Sequence, residues 1–375
     1  MTIRPEVLIS AGEASGDMYG ARLATALVQR TGATIFGMGG SRMSTAGVDL
    51  VADYHEIGVV GIAEVLRKIP TVIGVQNRLA YEAAKRRASL AILIDSPGTH
   101  LGTARRLNNA SIPVGYFIGP QIWAWRAGRV RIIRRRVKKM VVIFPFEEPL
   151  YRKAGVPVEF VGHPLVDVVK PTLTREEFAV RHGLDPSRPI VTLMPGSRPS
   201  EIALNYQGVI AACARLAQDS PIQFVHAAAP GLSAELFSRC AQPEFPIHRV
   251  DGETYDALAA ADCAIVASGT ATIEAALLGT PMVVIYRVAP LTAVILRRMV
   301  RTPFFAMANL VAGKCAVPEL IQDDFTPANI EREVRRLLDS EAARAEMKAA
   351  LAEVRMRLGP PEAIDRAADI FAAMM

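Results

Sequence analysis

The sequence predicts an α/β protein built from two Rossmann-like, doubly wound domains in tandem, with the last helix crossing back onto the first domain. Three observations lead there. The chain has 375 residues, too many for one ordinary core, and 51% of them are hydrophobic, enough for two. Short apolar runs alternate with helical patterns, as in parallel sheets covered on both faces. The alternation loosens after Gly162-His163-Pro164 and resumes at Ile190.

In the first half the apolar runs are Glu6 to Ser10, Thr34 to Met38, Leu90 to Asp95, Pro113 to Ile118, Met140 to Phe144 and Glu159 to Val161. Each has the length of a buried strand, and most are separated by a helical pattern. The stretch around Lys170 to Glu177 carries Pro, Thr and Glu and reads as the interdomain linker. Domain boundaries of 1–168 with 360–375, and 169–358, follow. The second alternation runs through Ile190 to Met194, Gln223 to Ala227, Ile247 to Val250, Cys263 to Ala267 and Pro281 to Tyr286. Ala328 to Leu338, Ala342 to Leu358 and Glu362 to Met374 read as helices, the last set off by Gly359-Pro360-Pro361.

The charge balance of 43 Lys+Arg against 37 Asp+Glu gives a formal +6, which allows phosphate-bearing partners without demanding them. No apolar run reaches the roughly 18 to 20 residues of a membrane span, and Met1 to Pro5 leads into a strand without a signal peptide, so a cytosolic location is expected. Cys213, Cys240, Cys263 and Cys315 stand apart without metal-binding spacing and are expected to be buried, reduced thiols.

Four turns carry chemistry. Gly12-Glu13-Ala14-Ser15-Gly16-Asp17 follows the first strand and opens the first helix, and it is neither a dinucleotide fingerprint nor a P-loop. Glu13 and Ser15 fall where open α/β sheets bind ligands. Asp95 ends an apolar strand before Ser96-Pro97-Gly98, placed either to take a proton from a substrate hydroxyl or simply to cap a turn. Pro195-Gly196-Ser197-Arg198 ends another strand, and Arg198 suits bidentate contact with a diphosphate. Ser268-Gly269-Thr270 ends a strand and opens a helix whose first-turn N–H groups fit phosphate without a metal. Thr270 and Glu274 are four apart on one helix face, suiting a phosphate and a sugar diol, although a capped helix with a dipole-friendly Glu is the plainer account. Two anion turns in one domain favour a nucleotide diphosphate. Asn309 offers a further amide.

Two surfaces stand out. Ile122-Trp123-Ala124-Trp125-Arg126 precedes Arg129, Arg131, Arg134, Arg135, Arg136, Lys138 and Lys139 with no intervening acid. A membrane surface or a phosphate-bearing lipid suits it, as does a merely solvated basic helix face. Nucleic acid is disfavoured, because no stacking platform accompanies the patch. Ile57 to Leu66, with Val59, Val60 and Ile62, is apolar enough to cradle acyl chains or to be core.

The blocks Ala11 to Asp17, Gly58 to Leu66, Pro120-Gln121-Ile122-Trp123-Ala124-Trp125-Arg126, Phe144-Pro145-Phe146-Glu147, Phe160 to Pro164, Pro195 to Arg198 and Ser268 to Thr270 together resemble lipid-A-disaccharide synthases. The resemblance runs in order from about residue 7 to about residue 322, and the Trp-Ala-Trp-Arg block is its most specific part. It implies a two-domain, inverting GT-B glycosyltransferase whose domains face a cleft, with no cofactor and no metal, working at the cytoplasmic face of the inner membrane. The implied partners are UDP-2,3-diacylglucosamine as donor, 2,3-diacylglucosamine 1-phosphate as acceptor and an anionic membrane surface, with a homodimer left open. It assigns Asp95 as base with Glu13 and Ser15 beside the reacting sugars. Arg198, Ser268, Gly269, Thr270, Glu274 and Asn309 fall on the donor side. Val59, Val60, Ile62, Trp123, Trp125, Arg126 and Arg129 fall on the acceptor and membrane side. The family's usual Asp-x-Pro-Asp-Phe-Asn is Asp95-Ser96-Pro97-Gly98-Thr99-His100 here, and its Pro-Asn-Leu-Leu is Ala308-Asn309-Leu310-Val311. The competing classes are a MurG-like transferase or UDP-N-acetylglucosamine 2-epimerase on the same fold, and a non-enzymatic basic membrane- or RNA-binding protein.

Overall fold

The computed structural model describes residues 4–57, 62–120, 128–219, 221–240, 243–289 and 302–375, with the side chains of 62–67 and 219 excepted. The chain divides into two compact units, Met1–Pro164 with Gly359–Met375, and Leu165–Leu358.

The first unit is a parallel sheet of β1 (Glu6–Ala11), β2 (Thr34–Gly39), β3 (Asp49–Asp53), β4 (Leu90–Ile94), β5 (Val114–Phe117), β6 (Lys139–Val142) and β7 (Val158–Phe160). Their order is β3-β2-β1-β4-β5-β6-β7. The chain winds outward from β1 in one direction and then from β4 in the other, so the order reverses between these two strands, which pair in register from Val7↔Leu90 to Ala11↔Ile94. The strands read as continuous apolar runs because both faces are covered. Leu8, Ala91, Leu93 and Tyr116 belong to one core and Val7, Ile9, Ile92 and Phe117 to the other.

The C-terminal helix Ala363–Ala372 completes the second of these cores. Ala367, Ala368 and Phe371 are fully buried, and the Phe371 ring meets Phe117 edge-on at 6.4 Å. At the rim Arg30, from the helix Ala14–Thr31, reaches Asp365 at 3.0 Å, and Arg366 donates to the Val161 carbonyl at 2.6 Å. The expected crossing of this helix onto the first domain is what the structure has, and the apolar spacing of 364, 367, 368 and 371 drives it.

The second unit repeats the plan with β8 (Ile190–Met194), β9 (Gln223–Ala228), β10 (Ile247–Asp251), β11 (Cys263–Ala267), β12 (Met282–Tyr286) and β13 (Glu319–Ile321), in the order β10-β9-β8-β11-β12-β13. All pairings are parallel and the reversal falls between β8 and β11. β3 and β13 are not among the strands expected from the apolar runs. Both are edge strands, short and only partly buried, so neither carries an apolar run. Cys213 and Cys263 are buried and their thiols are raised by burial, but Cys315 is exposed in the turn after Gly313 and departs from the expectation.

Candidate functional site

In an open parallel sheet the crevice for a ligand forms outside the carboxyl ends of the strands where the winding reverses. In the first unit that point lies between the turns after β1 and β4, which carry Glu13 and Asp95. Gly12 lets the turns meet: a β-carbon there would collide with the Oγ and Cβ of Ser96. Glu13 is the N-cap residue of the helix Ala14–Thr31, yet its side chain does not cap it and instead accepts the Ser15 hydroxyl at 2.6 Å. Asp17, one turn in, is spent elsewhere. It is buried and accepts the N–H groups of Gly40 at 2.7 Å and of Arg42 and Met43 at 3.1 Å, fixing the turn after β2.

Asp95 lies just past β4 and is half-buried. Burial first, and then the neighbouring Glu13 carboxylate, push its carboxyl up to about 7 against the lowering effect of the Ser96 N–H. A carboxyl poised near neutrality beside a second carboxylate is the arrangement of a general base. Asp95 and Ser96 both adopt left-handed backbone, φ 47° and 45°, before Pro97 opens the helix Pro97–Asn109. The Asp95 carbonyl accepts hydrogen bonds from Tyr116 Oη and, at 2.8 Å, from His100 Nδ1. Nothing local in the sequence marks Tyr116, and His100 stands out there only at a departure from a motif. Tyr116 lay inside an apolar strand, and only sheet order brings it to Asp95. His163 is buried with its ring 5.0 Å from Phe144, and burial lowers it to about 3, so it is a neutral packing histidine.

In the second unit the turns after β8 and β11 flank the reversal. Their glycines share one backbone geometry, φ 151° at Gly196 and 154° at Gly269, which a side chain would strain. Arg198 is exposed and pairs with Glu201 at 2.9 Å, while the other Glu201 oxygen accepts the Ser197 N–H at 2.8 Å. Ser268 Oγ donates to the Phe305 carbonyl at 2.9 Å. Thr270 is exposed at the N-cap of the helix Ala271–Leu278 and makes no side-chain cap. The Thr272 N–H turns back to the Gly269 carbonyl at 3.1 Å and the Ile273 N–H to the Thr270 carbonyl at 2.9 Å, and open space lies beside Gly269. Glu274 is one turn further in, its carboxyl raised by burial and joined by the Tyr255 hydroxyl at 3.3 Å.

Asn309 is fully buried and its amide is spent inside the unit. It donates to the Val317 carbonyl at 2.9 Å and to Glu319 at 2.7 Å, and its Oδ1 accepts the N–H groups of Ala316 and Val317. Glu319 in turn accepts the N–H groups of Phe305 and Ala306, both at 2.9 Å. Asn309 therefore organises the loop that supplies Ser268's partner.

Of the surface residues, Val59, Val60, Trp123, Trp125 and Arg126 lie outside the described residues, and only the backbone of Ile62 is described, at the start of the helix Ile62–Lys85. Arg129 opens the helix Arg129–Arg136, which buries Ile133 and exposes Arg131, Arg134 and Arg135. No helix among the described residues is long and apolar enough to cross a membrane.

Two doubly wound parallel sheets, each with its candidate turns at the reversal of strand order, place the chain in the GT-B fold class. Solved structures share the fold throughout: MurG of Acinetobacter baumannii superposes with a TM-score of 0.60 over 98% of this chain and 99% of its own, at 14% identity. The UDP-GlcNAc 2-epimerase of Neisseria meningitidis, solved with UDP-GlcNAc, does so with a TM-score of 0.64 over 98% of each chain, at 12% identity. At these identities the likeness speaks of the fold alone. Sequence decides the family. The chain belongs to the lipid-A-disaccharide synthetase family, whose model matches residues 7–372. It is 45% identical to the lipid-A-disaccharide synthase of Acidobacterium capsulatum, over 96% of this chain and 94% of that one.

Proposed function

We propose that the protein transfers the diacylglucosaminyl group of UDP-2,3-diacylglucosamine to the 6-hydroxyl of 2,3-diacylglucosamine 1-phosphate, giving the β-1,6-linked disaccharide 1-phosphate and UDP. The second unit holds the donor: the helix start at Thr270 and the Arg198 guanidinium take the diphosphate, and Glu274 takes a sugar hydroxyl or diol. The acceptor oxygen attacks the anomeric carbon in line while the bond from that carbon to the diphosphate oxygen breaks. Inversion follows, and UDP leaves with the bonding pair. Asp95 accepts the proton of the attacking hydroxyl, and Glu13, with Ser15, sets the field in which it does so.

The observation that carries this reading is the Asp95 carboxyl, brought to about 7 by burial and by Glu13 at the sheet's reversal. Membership in the family supplies the substrates. The acceptor lipid is met at the cytoplasmic face of the inner membrane, where the exposed arginines of Arg129–Arg136 face anionic headgroups. The test is UDP release with both lipid substrates present. Asp95→Ala must lower it by at least about 10²-fold, the usual contribution of a general base. Release unchanged by that substitution, or release without the acceptor lipid, defeats the assignment.

A further inference from the structure

His100 has a place in the site that its position alone does not suggest. It lies in the first turn of Pro97–Asn109, fully buried, with Nδ1 2.8 Å from the Asp95 carbonyl oxygen and Nε2 2.9 Å from Ser10 Oγ on β1. A carbonyl oxygen only accepts, so Nδ1 carries the hydrogen. Burial keeps the ring neutral, lowering it to about 4, and Nε2 is therefore free to accept from the Ser10 hydroxyl. The imidazole thus bridges β1 and the turn after β4, the two elements on either side of the reversal.

That turn needs support. Asp95 and Ser96 are consecutive left-handed residues, a backbone conformation that persists only where the surroundings impose it. The Ser96 side chain makes no cap bond to the helix that follows. The Asp95 N–H donates to the Phe117 carbonyl at 3.0 Å and the Ser96 carbonyl accepts from the N–H groups of Thr99 and His100, while the Asp95 carbonyl is held by the side chains of His100 and Tyr116.

We propose that His100 is a positioning residue for Asp95, donating from Nδ1 to the Asp95 carbonyl and so holding the left-handed turn that presents the carboxyl to the acceptor hydroxyl. The proposal rests on the reading of Asp95 as the base. Side-chain geometry supplies a discriminating pair of variants. An Asn amide occupies the place of imidazole Nδ1 and can still donate to the Asp95 carbonyl, but it stops short of Ser10. A Gln amide extends to the place of Nε2 and keeps the Ser10 contact while leaving the Asp95 carbonyl without that donor.

The experiment measures kcat and the KM for each lipid substrate in His100→Asn, His100→Gln, Tyr116→Phe and Asp95→Ala. His100→Gln is expected to lower kcat on the order of 10²-fold, the loss that accompanies misplacement of a reacting group by about 1 Å, with both KM values unchanged within about twofold. His100→Asn is expected to keep kcat within about threefold of wild type. Tyr116→Phe keeps the packing, removes the other donor and must also lower kcat at constant KM, which tests the carbonyl bond even where a His100 variant fails to fold. Equal loss in His100→Asn and His100→Gln, or full activity in His100→Gln, overturns the positioning role. Full activity in Asp95→Ala overturns the base assignment instead, so the two failures are distinct.

Discussion

Replacing Asp95 by Asn should make the protein more stable while it removes activity. The wild-type carboxyl moves from its ordinary 3.8 to about 7 on folding, chiefly through burial. At about 1.4 kcal/mol per pH unit that corresponds to about 4 kcal/mol against the folded, ionised state, and partial solvent access reduces it to about 2 to 4 kcal/mol. The sign follows from proton uptake. Between pH 3.8 and about 7 the folded state binds a proton that the unfolded state has lost, so wild-type stability declines as pH rises and levels off above about 7. Asn is free of this term, tolerates the left-handed backbone and keeps the carbonyl that His100 and Tyr116 hold. The variant should gain about 2 to 4 kcal/mol at pH 8.5, a rise of about 5 to 10 °C in midpoint for a unit of this size, and about a third of that at pH 5. Scanning calorimetry at the two pH values, with UDP release on the same samples, provides the assay. A variant no more stable than wild type at pH 8.5, or equally stabilised at both pH values, would refute the argument that the fold holds this carboxyl against ionisation.

Three further outcomes are expected. Gly12→Ala drives a methyl into Ser96, so it should destabilise by about 1 to 3 kcal/mol in urea unfolding and depress kcat beyond what the folded fraction explains, because the turns bearing Glu13 and Asp95 are pushed apart. Phe371→Ala empties a fully buried site against Phe117 and should lower the unfolding free energy of the first unit by about 3 to 5 kcal/mol, read by urea titration. Arg198→Ala should raise the donor KM by roughly 10- to 100-fold, the equivalent of about 1.5 to 3 kcal/mol for charge-assisted hydrogen bonds, and leave the acceptor KM unchanged in initial-rate kinetics.

The basic helix Arg129–Arg136 should make binding to anionic membranes sensitive to salt. Protein bound to anionic vesicles should partly dissociate between about 0.05 and 0.5 M salt, since the field of Arg131, Arg134 and Arg135 is screened within about a Debye length. Binding indifferent to salt would assign the contact to apolar insertion.

Most of the architecture was legible because it follows from short-range physics. Strands buried on both faces must be apolar along their length, so the central strands stood out, whereas the edge strands Asp49–Asp53 and Glu319–Ile321 did not. The turns at Glu13, Asp95, Arg198 and Thr270 were legible for the same reason, each being a polar residue set at the end of an apolar run. Asn309 was legible as an amide, but nothing local revealed that the Val317 carbonyl, the Ala316 and Val317 N–H groups and Glu319 would use all of it.

What the sequence by itself determined is thus the two-sheet plan, the helix that returns to the first unit and the family, since these depend on hydrophobic periodicity and on ordered blocks of residues. Which of the turns meet was decided by the tertiary structure alone. Strand order sets β1 beside β4 and so brings Glu13 to Asp95. It also puts His100 and Tyr116 on the Asp95 carbonyl and Ser10 on the far side of the His100 ring, although Ser10 and His100 are 90 residues apart in the chain. The raised carboxyl is likewise a product of burial and of a neighbouring charge, which exist only once the sheet has closed around them.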